Sequence, residues 1–337
     1  MNELWTTERA WAWHRAVGWR CGFNYVPSTA INPIELWASE TFDPQTIDRE
    51  LGWAGGTGFN TLRVNLHYFA YEADAAGFLE RMDRFLSIAS AHGFGSMFCL
   101  FDDCAHRGQQ PRHGRQDPPV PGLHNSGWTP SPGHAQAVDP AFGPKLQAYV
   151  RDVVRRFARD ARVLLWDLYN EPGNGTGLST VPLLRECFAW ARQEQPDQPI
   201  SSGVWQGDYA SPPPGSVSEA MIELSDVVTF HNYEPLPQVQ QEIESLRRLD
   251  RPMFCTEWMA RTRGSRFETH LPVFRAQNIG CCFWGLINGK SQTNFPWGSP
   301  PNAPEPELWF HDLLRTDGRP YMEEEVRFAR GVLRGRA

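Results

Sequence analysis

Two glutamates stand where apolar runs end. Val163–Pro172 reads VLLWDLYNEP, five of its first six residues apolar, then Asn170, Glu171 and Pro172. Such a run suits a parallel strand buried on both faces. Proline cannot donate to a sheet ladder, so the strand finishes at about Glu171 and leaves a carboxylate at its carboxyl end. Pro252–Ala260, PMFCTEWMA, repeats the arrangement with Glu257. In parallel α/β folds that end of the strand is where ligands bind and chemistry is done. Two carboxyl groups delivered this way suit cleavage of a glycosidic bond, in which one protonates the leaving oxygen while the other attacks the anomeric carbon.

The elements that must carry them can be read in order. Thr7–Trp19 reads as a helix or a cap across a barrel floor, and Arg20–Ser28 as the first strand. A helix follows, with Asp43 at its N-cap and Pro44 at its first position. Thr61–His67 is the second strand, with Arg63 inside it, then a helix over Phe78–Gly93. The third strand, Gly95–Cys104, includes Asp102 and Asp103 near its end. From Ala105 to Asp139 the chain turns rich in Pro, Gly and His and loses any apolar period. Following a strand's carboxyl end, so long a stretch is expected to be an ordered lid over the site. After the Glu171 strand come Pro199–Trp205, Val227–Pro235 (ending on His231 and Tyr233), the Glu257 strand, and Cys281–Gly289 with Trp284. A last helix spans Tyr321–Leu333. Eight strands alternating with helices, with no internal linker, predict a single-domain (β/α)8 barrel over residues 1–337. Glu171 then ends the fourth strand and Glu257 the seventh, and both point into one mouth.

Composition narrows the partners. A net charge of −7 and a pI near 5.8 leave no electrostatic footprint for nucleic acid. No stretch approaches a membrane span. Seven cysteines without disulfide-like spacing favour a reducing compartment, and the N-terminus shows no signal-peptide pattern, so a cytoplasmic location is expected. No glycine-rich phosphate loop or Gly-x-Ser-x-Gly motif occurs, so neither a nucleotide cofactor nor a serine nucleophile is expected. His106, His113 and His124 fit no compact zinc spacing, so no metal is expected. Oligomeric state is not legible.

Taken together these residues resemble the retaining glycoside hydrolases of clan A, most closely family 5, with the catalytic barrel of family 2 also similar. Asn170-Glu171-Pro172 matches the clan's Asn-Glu-Pro, whose Glu is the acid/base, and Glu257 matches the nucleophile. Arg63 matches the arginine that supports the nucleophile, His231 and Tyr233 the family's His-x-Tyr, and Trp284 its strand-eight tryptophan. Where family 5 usually has a histidine near the end of strand three, this chain offers Asp102 and Asp103. The resemblance implies retaining hydrolysis of a β-linked oligosaccharide or glycoside by double displacement.

Asn170 is then expected to meet a sugar 2-hydroxyl, and at least one of Asp102 and Asp103 to accept from sugar hydroxyls. Their side chains alternate in facing if the strand continues. Trp284 is the best sugar platform, Trp205 and Trp258 come next, and Trp128 and Trp297 lie in loops where packing and binding are equally open. Exo action on short saccharides is favoured, because the lid would close a cleft into a pocket. An endo-mannanase, xylanase or cellulase, a transglycosylase and a non-catalytic sugar-binding barrel are the alternatives.

Overall fold

A computed structural model describes residues 4–207, 209 and 211–335. Eight parallel strands form its centre: β1 Cys21–Asn24, β2 Thr61–Asn65, β3 Gly95–Asp102, β4 Val163–Asn170, β5 Ile200–Ser201, β6 Val228–His231, β7 Met253–Trp258 and β8 Gly280–Trp284. Their order is β5-β4-β3-β2-β1-β8-β7-β6. The two ends meet through a parallel bridge between Val204 and Phe230, where the Val204 amide donates to Thr229 (2.9 Å) and the His231 amide to Val204 (2.8 Å). The result is a nearly closed (β/α)8 barrel, as the strand count predicts.

The seam explains why the fifth strand is shorter than the span 199–205 suggests. Beyond Ser201 the chain passes the imidazole of His231, and a Cβ on Gly203 would lie 3.1 Å from its Nε2. Any side chain there would need the ring to give by a few tenths of an ångström, which glycine avoids.

Helix Thr7–Val17 seals the floor. Thr6 caps it by accepting from the Arg9 amide, and Trp5 and Ala10 pack against Met97, Leu165, Phe254 and Cys282 at the amino ends of the strands. Most other predicted helices form near their expected bounds, including Pro44–Gly55 with its Asp43 cap. Two short helices, Pro33–Trp37 and Tyr68–Ala73, occupy segments for which the sequence predicted no helix. Five and six residues are too few for a helical period to show in sequence.

Residues 105–139 are ordered across the carboxyl end of the barrel. They contain a turn of 3-10 helix, His106–Gly108, and a short helix, His134–Val138, and Ser131 bridges back to Asp102. The lid docks on a second long connection, residues 285–322, which follows β8. The Asn125 amide donates to the Ser291 carbonyl (2.8 Å), the Gly122 amide to Gln292 Oε1 (2.9 Å) and the His124 amide to Ser299 Oγ (3.2 Å). Two loops thus build one wall. Among the described residues no helix is long and apolar enough to cross a membrane.

Candidate active site

Strand alternation should turn Glu171 away from the mouth, because Asn170 before it points in. Glu171 instead has φ +43°, in the left-handed region that costs a non-glycine residue about 1 kcal/mol. That turn swings its carboxyl back over the barrel. Asp103, facing outward, holds the turn in place: its Oδ2 accepts from the Gly173 amide (2.7 Å) and the Thr176 and Thr180 hydroxyls (2.9 and 2.8 Å), and its Oδ1 from Tyr169 (2.8 Å). A shift in β6–β7 pairing brings His231 opposite Glu257. Register irregularities of this kind re-aim side chains beside sites.

Glu171 and Glu257 therefore share one mouth. An oxygen of each and a ring nitrogen of His231 all lie within 4.8 Å of one another. Carboxyl oxygens this near one another suit the close pairing of retaining enzymes, whose carboxyl groups stand about 5–5.5 Å apart. Glu257 Oε1 accepts from Arg63 Nη1 (2.8 Å) and Oε2 from the Tyr233 hydroxyl (2.7 Å). Arg63 is fully buried and also donates to Asp167 (2.7 Å), Asn24 (2.8 Å) and Asn170 (2.7 Å). Glu171 Oε1 faces His231 Nδ1 (2.9 Å), and Oε2 accepts from Asn174 Nδ2 (2.9 Å) and the Cys104 thiol (3.2 Å).

Burial pushes both carboxyls upward. On Glu171 burial is outweighed by the hydrogen bond and charge of His231 together with the Cys104 and Asn174 donors, and the group is lowered from the usual carboxylate value. On Glu257 burial outweighs the pull of His231 and Arg63, and the charge of Glu171 adds to the upward push. Those directions suit an imidazolium at His231, whose own value is raised by the two glutamates against burial. The spare proton then sits on Nδ1, one short hydrogen bond from Glu171. Coupled groups of this kind share protons as a unit. Arg63 keeps its proton at any working pH and touches Glu257 alone of the pair. We therefore assign the fixed negative charge to Glu257 and the mobile proton to the His231–Glu171 side.

A cavity of about 630 Å³ opens above the pair, walled by Trp205 and Tyr209, by the lid through His124 and Trp128, and by the β8 side through Trp284 and Trp297. Trp284 stands at the wall as expected, edge-on to Trp128 at 5.8 Å. Trp205 also lines it, its indole donating to the Pro172 carbonyl (3.1 Å).

Three expected sugar contacts lie elsewhere. Trp258 is fully buried on the outer face of β7, against Phe267, His270 and Phe274 of the helix Phe267–Ala276. Its neighbour Glu257 points in, so Trp258 must point out. Asp102 does face inward but is buried beneath the cavity floor. Its carboxylate accepts from Trp128 Nε1 (2.8 Å), Asn170 Nδ2 (2.9 Å), Asn65 Nδ2 (3.2 Å) and the Cys104 amide (2.8 Å). Burial pushes it up to about 7 against those hydrogen bonds. Asp102 thus pins the lid, through Trp128, to the strand that carries Asn170. Asp103 serves the Glu171 turn. The lid histidines also separate: His113 meets Glu72 (3.2 Å) and stacks on Phe69, while His124 bonds the Phe295 carbonyl (2.7 Å).

Sequence reasoning overlooked Cys104, Asn174 and, apart from Trp297, the cavity residues of the 285–322 connection. The last had a legible signal, since that stretch is as rich in Pro, Gly and Asn as the lid and also follows a strand's carboxyl end. Cys104 had none, because a thiol beside a carboxylate is made by the fold. Its S–H stabilises the ionised form of Glu171, so Cys104→Ala should raise the acid's pKa. The high-pH limb of kcat/KM should then move to higher pH, with the plateau changed less than about tenfold. A pH–rate profile on any turned-over glycoside measures it, and an unmoved limb would rule out the thiol's influence.

The family profile Cellulase (glycosyl hydrolase family 5) matches residues 32–290, well over half of the chain. The chain belongs to glycosyl hydrolase family 5. That family is one of the retaining glycoside hydrolases of clan A. No curated protein sequence matches it. Its fold is similar to that of the exo-β-1,4-mannosidase Op5Man5 from Opitutaceae bacterium strain TAV5, at 19% identity and a TM-score of 0.64, over 94% of this chain and 60% of that one. It is also similar to GH5_18 from Streptomyces cattleya, solved with GlcNAc, at 14% identity and a TM-score of 0.62, over 94% of this chain and 80% of the other. The endo-1,4-β-D-mannanase from Thermotoga petrophila RKU-1 gives 13% identity and a TM-score of 0.55, over 94% and 99%. The chain thus spans 60% of the length of the Opitutaceae enzyme.

Proposed function

We propose that this family 5 enzyme removes single sugar units from the ends of short β-linked saccharides, with β-mannosides the first class to test. The observation that carries the reading is the wall made by the lid and the 285–322 connection. Hydrogen bonds from Gly122, His124 and Asn125 join the lid to that connection along one side of the cavity, which favours a bounded pocket over the open groove that an endo-acting enzyme needs for chain on both sides of the cut. The mannosidase and mannanase names of the structural neighbours support the choice of sugar.

In this reading Glu257, held by Arg63 and Tyr233, attacks the anomeric carbon. The leaving oxygen takes the proton stored between His231 and Glu171. Once Glu257 is esterified its charge is gone, and Glu171 draws a proton from water, whose oxygen frees the sugar. Asn170, fixed between Arg63 and Asp102, offers its amide to the 2-hydroxyl. The seven cysteines favour work in a reducing compartment, which we propose to be the cytoplasm.

Digestion of β-1,4-mannohexaose, followed over time by chromatography, tests the mode of attack. Exo action releases mannose from the first time point and shortens the chain one unit at a time. Early mixtures of mannobiose and mannotriose would overturn it. Added acceptor sugar in the same assay reports transglycosylation as longer products.

A further inference from the structure

Two imidazoles in the cavity wall have no part in the chemistry above. His124, in the lid, and His311, in the 285–322 connection, are both buried and both line the cavity. Their rings lie 5.6 Å apart. In each, Nδ1 meets a backbone carbonyl: Phe295 at 2.7 Å for His124 and Met259 at 2.6 Å for His311. A carbonyl only accepts, so both Nδ1 atoms carry the hydrogen. In the neutral ring Nε2 is then a bare lone pair. Burial pushes His124 down to about 4, and pushes His311 well below the ordinary histidine value, with the neighbouring imidazole adding to the effect. Among the described residues neither Nε2 has a protein hydrogen-bond partner, and neither is among the sealed-off polar atoms. Both are left for whatever fills the cavity.

We propose that the Nε2 atoms of His124 and His311 form a subsite that accepts hydrogen bonds from two hydroxyls of the sugar unit on the Glu257 side of the cleaved bond. The proposal rests on the glycosidase reading and adds a ligand contact to it. Its side of the cut follows from Tyr233, whose hydroxyl holds Glu257 and whose ring lies 5.5 Å from that of His311. Trp297, half exposed, stands 6.0 Å from His311 and 5.0 Å from Tyr233 and supplies an apolar face beside the two acceptors. Acceptors paired with an aromatic face suit a neutral pyranose. A uronate would set its own lone pairs against both rings, so the subsite should discriminate against acidic sugars.

Paired substitutions separate binding from folding. Asparagine can keep the Nδ1-type donor to the backbone carbonyl while lacking an atom at the Nε2 position. Glutamine can place an acceptor near that position. His311→Asn and His124→Asn should each lower kcat/KM for 4-nitrophenyl β-D-mannopyranoside and for β-1,4-mannobiose by about tenfold, the scale of one hydrogen bond, with most of the change in KM. The glutamine variants should recover part of the loss. On the 4-nitrophenyl glycoside lacking the hydroxyl that a histidine meets, wild type and the asparagine variant of that histidine should become equal. Unchanged kinetics in folded asparagine variants would overturn the subsite. A loss confined to mannobiose and absent from the nitrophenyl glycoside would overturn its placement on the Glu257 side. If wild type cleaves no glycoside in a panel of neutral β-linked sugars, the glycosidase reading itself fails, an outcome distinct from both.

Discussion

Glu257→Ala should lower kcat/KM on the order of 10⁵-fold, the scale on which losing the nucleophile of a covalent catalytic unit acts. The fold should survive. Arg63 loses one partner, yet its guanidinium remains bound to Asp167, Asn24 and Asn170, so the buried cation is not left uncompensated. A thermal melt near that of wild type, measured beside the assay, separates lost chemistry from lost structure. Azide in the vacated space should restore turnover of an activated β-glycoside. Because it would attack from the face that Glu257 now occupies, the product should be the α-glycosyl azide. A β-glycosyl azide would show that Glu257 acts on the other face and that its role is exchanged with that of Glu171.

The barrel was legible because its signals are periodic and redundant. Most strands are apolar runs that stop at Pro, Gly or Asp, and eight strand-like runs leave few other topologies. Glu171, Glu257, Arg63, His231 and Tyr233 were legible as strand-end or mid-strand polar residues that a buried barrel would not otherwise tolerate. What failed was facing. Glu257 and Trp258 are adjacent, so both could not point inward, the alternation that was applied to Asp102 and Asp103 but not to this pair. With Glu257 in the mouth, that alternation by itself excludes Trp258 from sugar binding.

Applied to Asn170 and Glu171, however, the same rule turns the second glutamate out of the site. Its left-handed backbone is invisible to hydrophobic pattern. Contacts between loops were hidden for a related reason: His124 and His311 are 187 positions apart (311 minus 124), and only the docking of the lid on the β8 connection joins them. Pattern reports an element's own period, while meetings between irregular segments are decided by the whole fold.

Removal of Glu171 should give a loss that depends on the leaving group. In the structure its carboxyl is placed between a proton store, His231 at 2.9 Å, and two donors that steady its ionised form, Asn174 and Cys104. An alkyl or sugar leaving group needs that proton, so Glu171→Ala should slow its departure by about 10²–10⁴-fold, the usual worth of a positioned acid. A 2,4-dinitrophenyl leaving group departs unaided. The glycosyl-enzyme should then form at close to the wild-type rate and accumulate, because no base remains to activate water. The signature is a burst of dinitrophenol equal to the enzyme present, followed by slow turnover that azide accelerates to give the β-glycosyl azide. In wild type the acid must be protonated, so kcat/KM falls as pH rises through its pKa. In Glu171→Ala that high-pH limb should vanish for the dinitrophenyl substrate. An equal loss for both leaving groups, with the limb intact, would remove Glu171 from proton transfer and leave His231 as the group to test.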